Sequence, residues 1–372
     1  MKILLLCDHY PLPPRLVNMR NSIKKLNPNA HVEIFAWNRN NVDVVEPDVI
    51  SLNMDIGYGN QIRKLFNLPK VLKFIKKIVK NGEYDVLHGV DFELAFLASL
   101  AKGHAKLIYE VYDIKFFSNG IIDLLRKQAE KYLIRNKVDG LIFASPYFIK
   151  YYDSICSKLP KNIIMNNKPL FHRDFNHDSG FMDTYESKIK EKTVITFAGL
   201  LRYPEILMNL MDVVVTMEDT VLLLAGDGPA KNELESHAEK IGMKNVVFTG
   251  RYASTDLNSI YQITDIIWAA YPNDDKNVRY AVSNKYFESQ VFEKKIIVSE
   301  DTYLGENVSQ NGIGLCVNPY SINDIKQVID NIRKIHYQNQ YNASKFWQDE
   351  EEKIGLLYDH VLKERWMVGD SE

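Results

Sequence analysis

A chain of 372 residues exceeds what one hydrophobic core usually serves, so about two domains are expected. Hydrophobic residues at 46% and charged residues at 25% match an ordinary globular protein, which excludes a disordered or low-complexity chain. The net charge of −2 hides an asymmetry: residues 1–170 hold 25 Lys and Arg against 16 Asp and Glu (+9), residues 171–372 hold 21 against 32 (−11), and the first half is thereby suited to an anionic surface or acceptor.

Short β-branched runs at 2–7, 32–37, 85–88, 106–111, 140–145 and 162–165 alternate with helical segments. This rhythm predicts a βαβ domain with a parallel sheet over residues 1–170. Asp8 ends the first run too soon for a signal-peptide core, and no apolar stretch approaches the roughly 20 residues that span a bilayer. Cys7, Cys156 and Cys316 are far apart and odd in number, which suggests neither a disulfide framework nor a zinc site and fits a reducing cytosol. The stretch 62–80 carries Arg63, Lys64, Lys70, Lys73, Lys76, Lys77 and Lys80 among apolar residues. Such a basic amphipathic helix either lies on anionic lipid or turns a lysine-rich face to solvent while it packs. Nucleic acid is the poorer partner, because no reader motif accompanies the charge.

Residues 171–192 are polar and poorly periodic and read as a linker. Runs at 194–199, 221–226, 246–250, 266–271, 295–299 and 314–317 then predict a second parallel-sheet domain over 193–345. The final segment, 346–372, is amphipathic at helical period through Ile354, Leu357, Val361 and Leu362, and is expected to pack back on the first domain.

In open α/β sheets, ligands collect beyond the carboxyl ends of the strands. Three runs of the second half end there in glycine turns: Gly199 with Arg202, Gly226 with Asp227, Gly228 and Pro229, and Gly250 with Arg251 and Tyr252. Each alone reads equally as a plain turn. Further on, Ser283 or Asn284 can cap a helix whose Lys285 and Glu288, three residues apart, share one face. Free N–H groups of a first helical turn favour an anion, so phosphates beside Lys285 and ribose hydroxyls on Glu288 would suit a nucleotide sugar. The plainer reading is a surface helix with a scattered lysine and glutamate.

The ordered series Phe197-x-Gly199-x-x-Arg202, Ala225-Gly226-Asp227-Gly228-Pro229, Val246-x-Phe248-x-Gly250, Ile260-Tyr261 through Asp265-Ile266-Ile267, and Asn284-Lys285-x-x-Glu288 resembles the donor half of glycosyltransferase family 4. The likeness is strong over about residues 194–330. It is weaker at Pro14-Arg15, at His88 with Asp91, and at Glu110-Val111-Tyr112-Asp113. The resemblance implies the GT-B fold, two Rossmann-like parallel-sheet domains facing across a cleft. It also implies transfer of a sugar from a nucleoside diphosphate to a hydroxyl of a lipid-linked or oligosaccharide acceptor, with retention and without a metal, in capsular or exopolysaccharide synthesis. A cytoplasmic enzyme, peripheral at the inner face of the cell membrane, is expected.

Glu288 matches the second glutamate of the family's Glu-x7-Glu motif, whereas the first falls at Tyr280 and leaves the sugar specificity open. Arg202 and Lys285 are expected to neutralise the leaving diphosphate together. Asn273-Asp274-Asp275, followed by Lys276, reads as a solvated loop rather than a metal motif. Asp113 is the first choice for a catalytic base, with Glu110 and Asp91 as further strand-end carboxylates. On the acceptor side His9 and His88 are alternates, and Arg15 either binds an acceptor phosphate or pairs with an acidic neighbour. Two rival classes share the architecture: a nucleotide-sugar epimerase or hydrolase, and a non-catalytic nucleotide-sugar-binding partner of another transferase. The sequence argues against a nicotinamide dehydrogenase, since the first strand leads into Cys7-Asp8-His9-Tyr10-Pro11 with no Gly-x-Gly-x-x-Gly.

Overall fold

The strand Lys2–Cys7 (β1) is apolar from Ile3 onward, and in the computed structural model these side chains are buried on both faces of a sheet. Strands of this kind belong to parallel sheets covered by helices on either side. The structure describes residues 1–57, 61–116, 120–168, 184–185, 187–253, 256–337 and 347–363, so the expected linker falls mostly outside the described residues. The chain divides into two units, Met1–Asn167 with Trp347–Glu372, and Lys168–Phe346.

In the first unit β1 is joined by His31–Asn38 (β2), Val49–Asn53 (β3), Val86–Val90 (β4), Lys106–Val111 (β5), Gly140–Phe143 (β6) and Lys161–Ile164 (β7), all paired in parallel in the order β3-β2-β1-β4-β5-β6-β7. The sequence reading did not include β3, a half-exposed edge strand whose apolar residues Val49, Ile50 and Leu52 are only partly buried. The order reverses between β1 and β4, and such a switch point opens a crevice beyond the carboxyl ends of the two strands. Helices Pro14–Leu26 (α1), Gln61–Gly82 (α2), Asp91–Ser99 (α3), Gly120–Asn136 (α4) and Pro146–Ile155 (α5) make the crossovers. Proline opens α1 and α5, where its missing N–H costs nothing.

The second unit repeats the plan. Thr193–Ala198 (β8), Thr220–Ala225 (β9), Val246–Gly250 (β10), Ile266–Ala269 (β11), Lys295–Ser299 (β12) and Gly314–Val317 (β13) pair in parallel in the order β10-β9-β8-β11-β12-β13. Here the order reverses between β8 and β11. Its helices are Pro204–Val214 (α6), Lys231–Lys240 (α7), Leu257–Gln262 (α8), Lys276–Tyr280 (α9), Asn284–Val291 (α10), Tyr303–Asn311 (α11) and Ile322–Ile332 (α12). One face of the sheet packs Trp268, Leu210 and Ile329, the other Tyr261, Phe287 and Val298.

The last helix, Gln348–Leu362 (α13), belongs to the first unit. It buries Ile354, Leu357, Tyr358 and Val361 in the core that also holds Ile23 of α1 and Ile163 of β7. Its close approach depends on Gly140 at the start of β6, where a Cβ would lie 2.8 Å from Val361 Cγ2. Trp347 Nε1 donates to Ser22 Oγ at 2.8 Å, and Lys25 pairs with Glu351 at 2.7 Å.

Candidate active site

At the switch point of the second unit, β8 ends against Gly199 and β11 leads into Tyr271. Gly226 has φ of +142°, and a Cβ there would sit 1.9 Å from the Gly199 carbonyl oxygen, so the turns after β8 and β9 touch backbone to backbone. Gly199 has φ of +149° and faces the Lys285 ammonium, which lies 3.2 Å from where a Cβ would be. Gly228, with Asp227 Oδ1 accepting its N–H at 2.8 Å, completes this glycine floor. Side chains at Gly199 and Gly226 would fill the space that the turns leave open.

Ser283 rather than Asn284 caps α10: its hydroxyl accepts from the Lys285 N–H at 3.4 Å, and Asn284 is exposed at the first helical position. The cap aims Lys285 inward. Its ammonium donates to Tyr271 Oη at 3.1 Å and lies 4.6 Å from the centre of the Phe197 ring, with only 7% of the residue exposed. Burial opposes its charge, but the Tyr271 phenol and the Glu288 carboxylate outweigh that and raise its pKa. Burial raises the pKa of Glu288, against Lys285 and against the hydroxyl of Tyr261, which donates to its Oε2. The i, i+3 spacing thus places a buried cation and a half-buried acid one above the other, each held by a tyrosine.

Arg202 reaches this group through a row of rings. Its exposed guanidinium stacks 4.8 Å over Tyr203, which meets Tyr271 edge-on at 6.0 Å. Tyr252 is half-buried in the same core cluster and feels the charges of Lys285 and Glu288. Arg251 points elsewhere, 89% exposed and paired with Asp227 at 3.1 Å. Tyr280 ends α9 with its ring 5.3 Å from that of Tyr303. Asp275 caps α9 through the Asn277 N–H, and Asp274 accepts from Tyr320, so both serve the loop.

The first unit gathers a second polar group at its own switch point. Asp8, just past β1, accepts from Lys64 at 2.9 Å and pairs with His9 at 2.6 Å and Arg39 at 3.3 Å. Lys64 also reaches Glu93 at 3.2 Å, and Lys115 joins Glu93 at 2.7 Å to Asp91 at 3.4 Å. Burial works against its charge, yet the His9 hydrogen bond and Lys64 hold the Asp8 carboxyl far below its usual range. Burial likewise opposes Glu93, which Lys115 and Lys64 bring down to about 2. Asp91 behaves oppositely. Burial pushes its carboxyl up to about 6, against Lys115 and with the help of the Asp113, Asp8 and Glu93 charges. It sits at φ of +60° at the start of α3, and its Oδ1 accepts the Tyr112 N–H at 3.2 Å. Asp113 is exposed nearby.

Three expected site residues lie away from this surface, inside the core. Glu110 and His88 have no exposed area and Arg15 is 4% exposed. Glu110 binds Arg15 Nε at 2.8 Å and His88 Nε2 at 3.0 Å, and His88 Nδ1 meets Tyr358 of α13 at 3.0 Å. Of the two readings of Arg15, pairing with an acid is the one seen. A catalytic Glu110 and an acceptor-binding His88 or Arg15 are therefore replaced by a structural cluster, because no substrate reaches groups so enclosed. Glu110→Gln is expected to leave the buried guanidinium uncompensated and to lower stability by about 3–5 kcal/mol in urea denaturation.

Sequence reasoning took Tyr271 only as the end of an apolar run, gave Tyr261 no role beyond its place in the ordered series, and missed the Asp8, Lys64, Glu93 and Lys115 network. Charged residues at strand ends were the available signal for the latter.

Comparison with known proteins bears on both units. Residues 192–335 match the family described as Glycosyl transferases group 1. The O-antigen chain mannosyltransferase C of Escherichia coli is 20% identical over 311 residues, 82% of this chain and 80% of that one. Among solved structures, sucrose-phosphate synthase from Thermosynechococcus elongatus superposes with a TM-score of 0.78 at 15% identity, covering 98% of this chain and 99% of its own. Anabaena HepE in complex with UDP-glucose gives a TM-score of 0.66 at 15% identity, covering 97% and 96%. With both sheets traced and the group 1 segment lying in the second unit, the protein is a glycosyltransferase of the GT-B fold.

Proposed function

We propose that the second unit binds a nucleoside diphosphate sugar and that the protein transfers the sugar to a hydroxyl of a lipid-linked or oligosaccharide acceptor. The observation that carries this reading is the buried Lys285 ammonium, set at a helix start over the glycine floor of Gly199 and Gly226 and one turn from Glu288. Lys285 and the first N–H groups of α10 hold the diphosphate, Arg202 reaches it from the rim, and Glu288 accepts from the ribose hydroxyls. Tyr252 offers a ring to the base. The two cations supply the charge that a metal would otherwise bring to the leaving diphosphate, so transfer proceeds without one.

In the first unit Asp91 is the base that takes the proton of the acceptor hydroxyl. As the acceptor oxygen bonds to the anomeric carbon, the bond from that carbon to the phosphate oxygen breaks and the nucleoside diphosphate leaves; retention of configuration follows the family resemblance. Asp91 suits the task better than Asp113, since burial brings its pKa close to working pH. The E. coli relative acts on O-antigen chains and HepE was crystallised with UDP-glucose, which supports a glycan acceptor and a nucleotide-sugar donor. The cations of 62–80, with no acidic residue among them, support a position at the cytoplasmic face of an anionic membrane. No described helix is long and apolar enough to cross one.

A panel of uridine and guanosine diphosphate sugars tests this directly. At a hundred times its Kd the right donor stabilises the fold by about 2.7 kcal/mol, a rise of several degrees in melting temperature. No shift with any donor would refute the site. Hydrolysis or epimerisation of the donor alone, at the rate seen with acceptor, would favour the rival enzyme class.

A further inference from the structure

Helix α4 is inside out over its first turns. Its inward side chains are charged: Arg126 and Glu130 are buried and pair at 2.5 Å, and Glu130 also accepts from Tyr109 at 2.6 Å and Tyr152 at 2.7 Å. Its outward ones are Ile121, Ile122, Leu124 and Leu125, each more than half exposed, with Ile121 at 73%. A solvated helix shows the reverse pattern. Helix α2 does the same at its start, where Leu65 and Phe66 are 66% and 77% exposed directly after the buried Lys64.

These two apolar turns lie at the same edge of the first unit. Helices α2 and α4 both pack on α3, and in right-handed crossovers their first turns stand at the carboxyl ends of the strands. Lys64 ties the start of α2 to Asp8 and Glu93, and Lys115 ties the segment before α4 to Glu93 and Asp91. The apolar turns therefore flank the Asp8–Asp91–Glu93 cluster. Charge identifies what covers them: the whole of α2 carries Lys and Arg and no acid. Apolar side chains beside a cationic face describe a surface that enters lipid, with its charges among anionic head groups.

We propose that the starts of α4 and α2 insert together into the acyl region of an anionic bilayer. This sets the Asp91 cluster at the lipid–water boundary and selects acceptors carried on a lipid. It builds on the membrane role given above to residues 62–80, adding a second helix and a depth.

Sedimentation with phosphatidylcholine vesicles, with and without phosphatidylglycerol, tests it. Leu124→Ser/Leu125→Ser is expected to weaken binding to the anionic vesicles at least tenfold at both low and high salt, with an unchanged melting temperature. Lys73→Gln/Lys76→Gln/Lys77→Gln is expected to weaken it mainly at low salt. A Leu124→Trp variant should gain fluorescence that brominated acyl chains quench. Binding by the leucine variant equal to wild type would overturn the insertion while leaving adsorption through α2 intact, and a wild type that binds no vesicle would overturn both. A wild-type dimer that the leucine variant dissolves, with vesicle binding unchanged, would assign the patch to a second copy of the chain. Donor-induced shifts in melting temperature, read on every variant, keep these outcomes separate from those of the donor site.

Discussion

Asp91→Asn is expected to lose two to four powers of ten in turnover and yet to melt at a higher temperature than the wild type. General-base catalysis contributes roughly that much to rate. The gain in stability follows from the raised pKa. A carboxyl moved from its ordinary value near 4 up to about 6 binds its proton more tightly in the folded state, so stability falls as pH rises through that window and the full penalty is present at pH 7. At 1.36 kcal/mol per unit, and with 17% of the side chain exposed, the penalty is about 1–3 kcal/mol. Asparagine removes it, tolerates the positive φ, and keeps an acceptor for the Tyr112 N–H. The wild-type turnover should show an acid limb near pH 6, and the donor-induced shift in melting temperature should be the same in both proteins. A fully active Asp91→Asn enzyme would return the role of base to Asp113.

Lys285→Met should cut donor affinity on the order of a hundredfold while lowering the melting temperature by no more than a few degrees. The substitution keeps the aliphatic stem against Phe197 and removes one buried charge. Where an anionic ligand depends on a desolvated cation, losing that partner costs about 2–5 kcal/mol. The free protein also loses some stability, because burial opposes the ammonium but Tyr271 and Glu288 outweigh it and favour the charged form in the folded state. Titration calorimetry with the donor found in the screen would measure the drop. Unchanged affinity would mean that the diphosphate lies elsewhere.

What the sequence revealed was local. Lys285 and Glu288 are one helical turn apart, and the strands Lys295–Ser299 and Val246–Gly250 are bounded by their own turn residues, so each could be read from a few neighbours. Glu110 looked like a strand-end carboxylate because its partners, Arg15 and His88, are 95 and 22 residues away and only the sheet brings them together. The raised pKa of Asp91 is hidden for the same reason, being made by burial and by charges after β5, after β1 and on α3. Tyr271 escaped because an aromatic side chain in an apolar run looks like packing until its hydroxyl is seen to meet a charged group, and the role of Tyr261 was hidden for the same reason. Edge strand β3 was missed because its short apolar run, Val49, Ile50 and Leu52, is broken by Ser51 and follows the mostly polar stretch 38–48.

The return of α13 to the first unit has a consequence for how the protein is made. Translation produces the second unit as one uninterrupted stretch, whereas the first waits for its final helix until the 179 residues of Lys168–Phe346 have been added. At 5–20 residues per second that delay is about 10–40 s, during which the surface around Gly140 and Ile163 that receives Leu357 and Val361 stands uncovered. The nascent first unit is thus expected to engage chaperones at that face, and the second unit to complete its fold before the first.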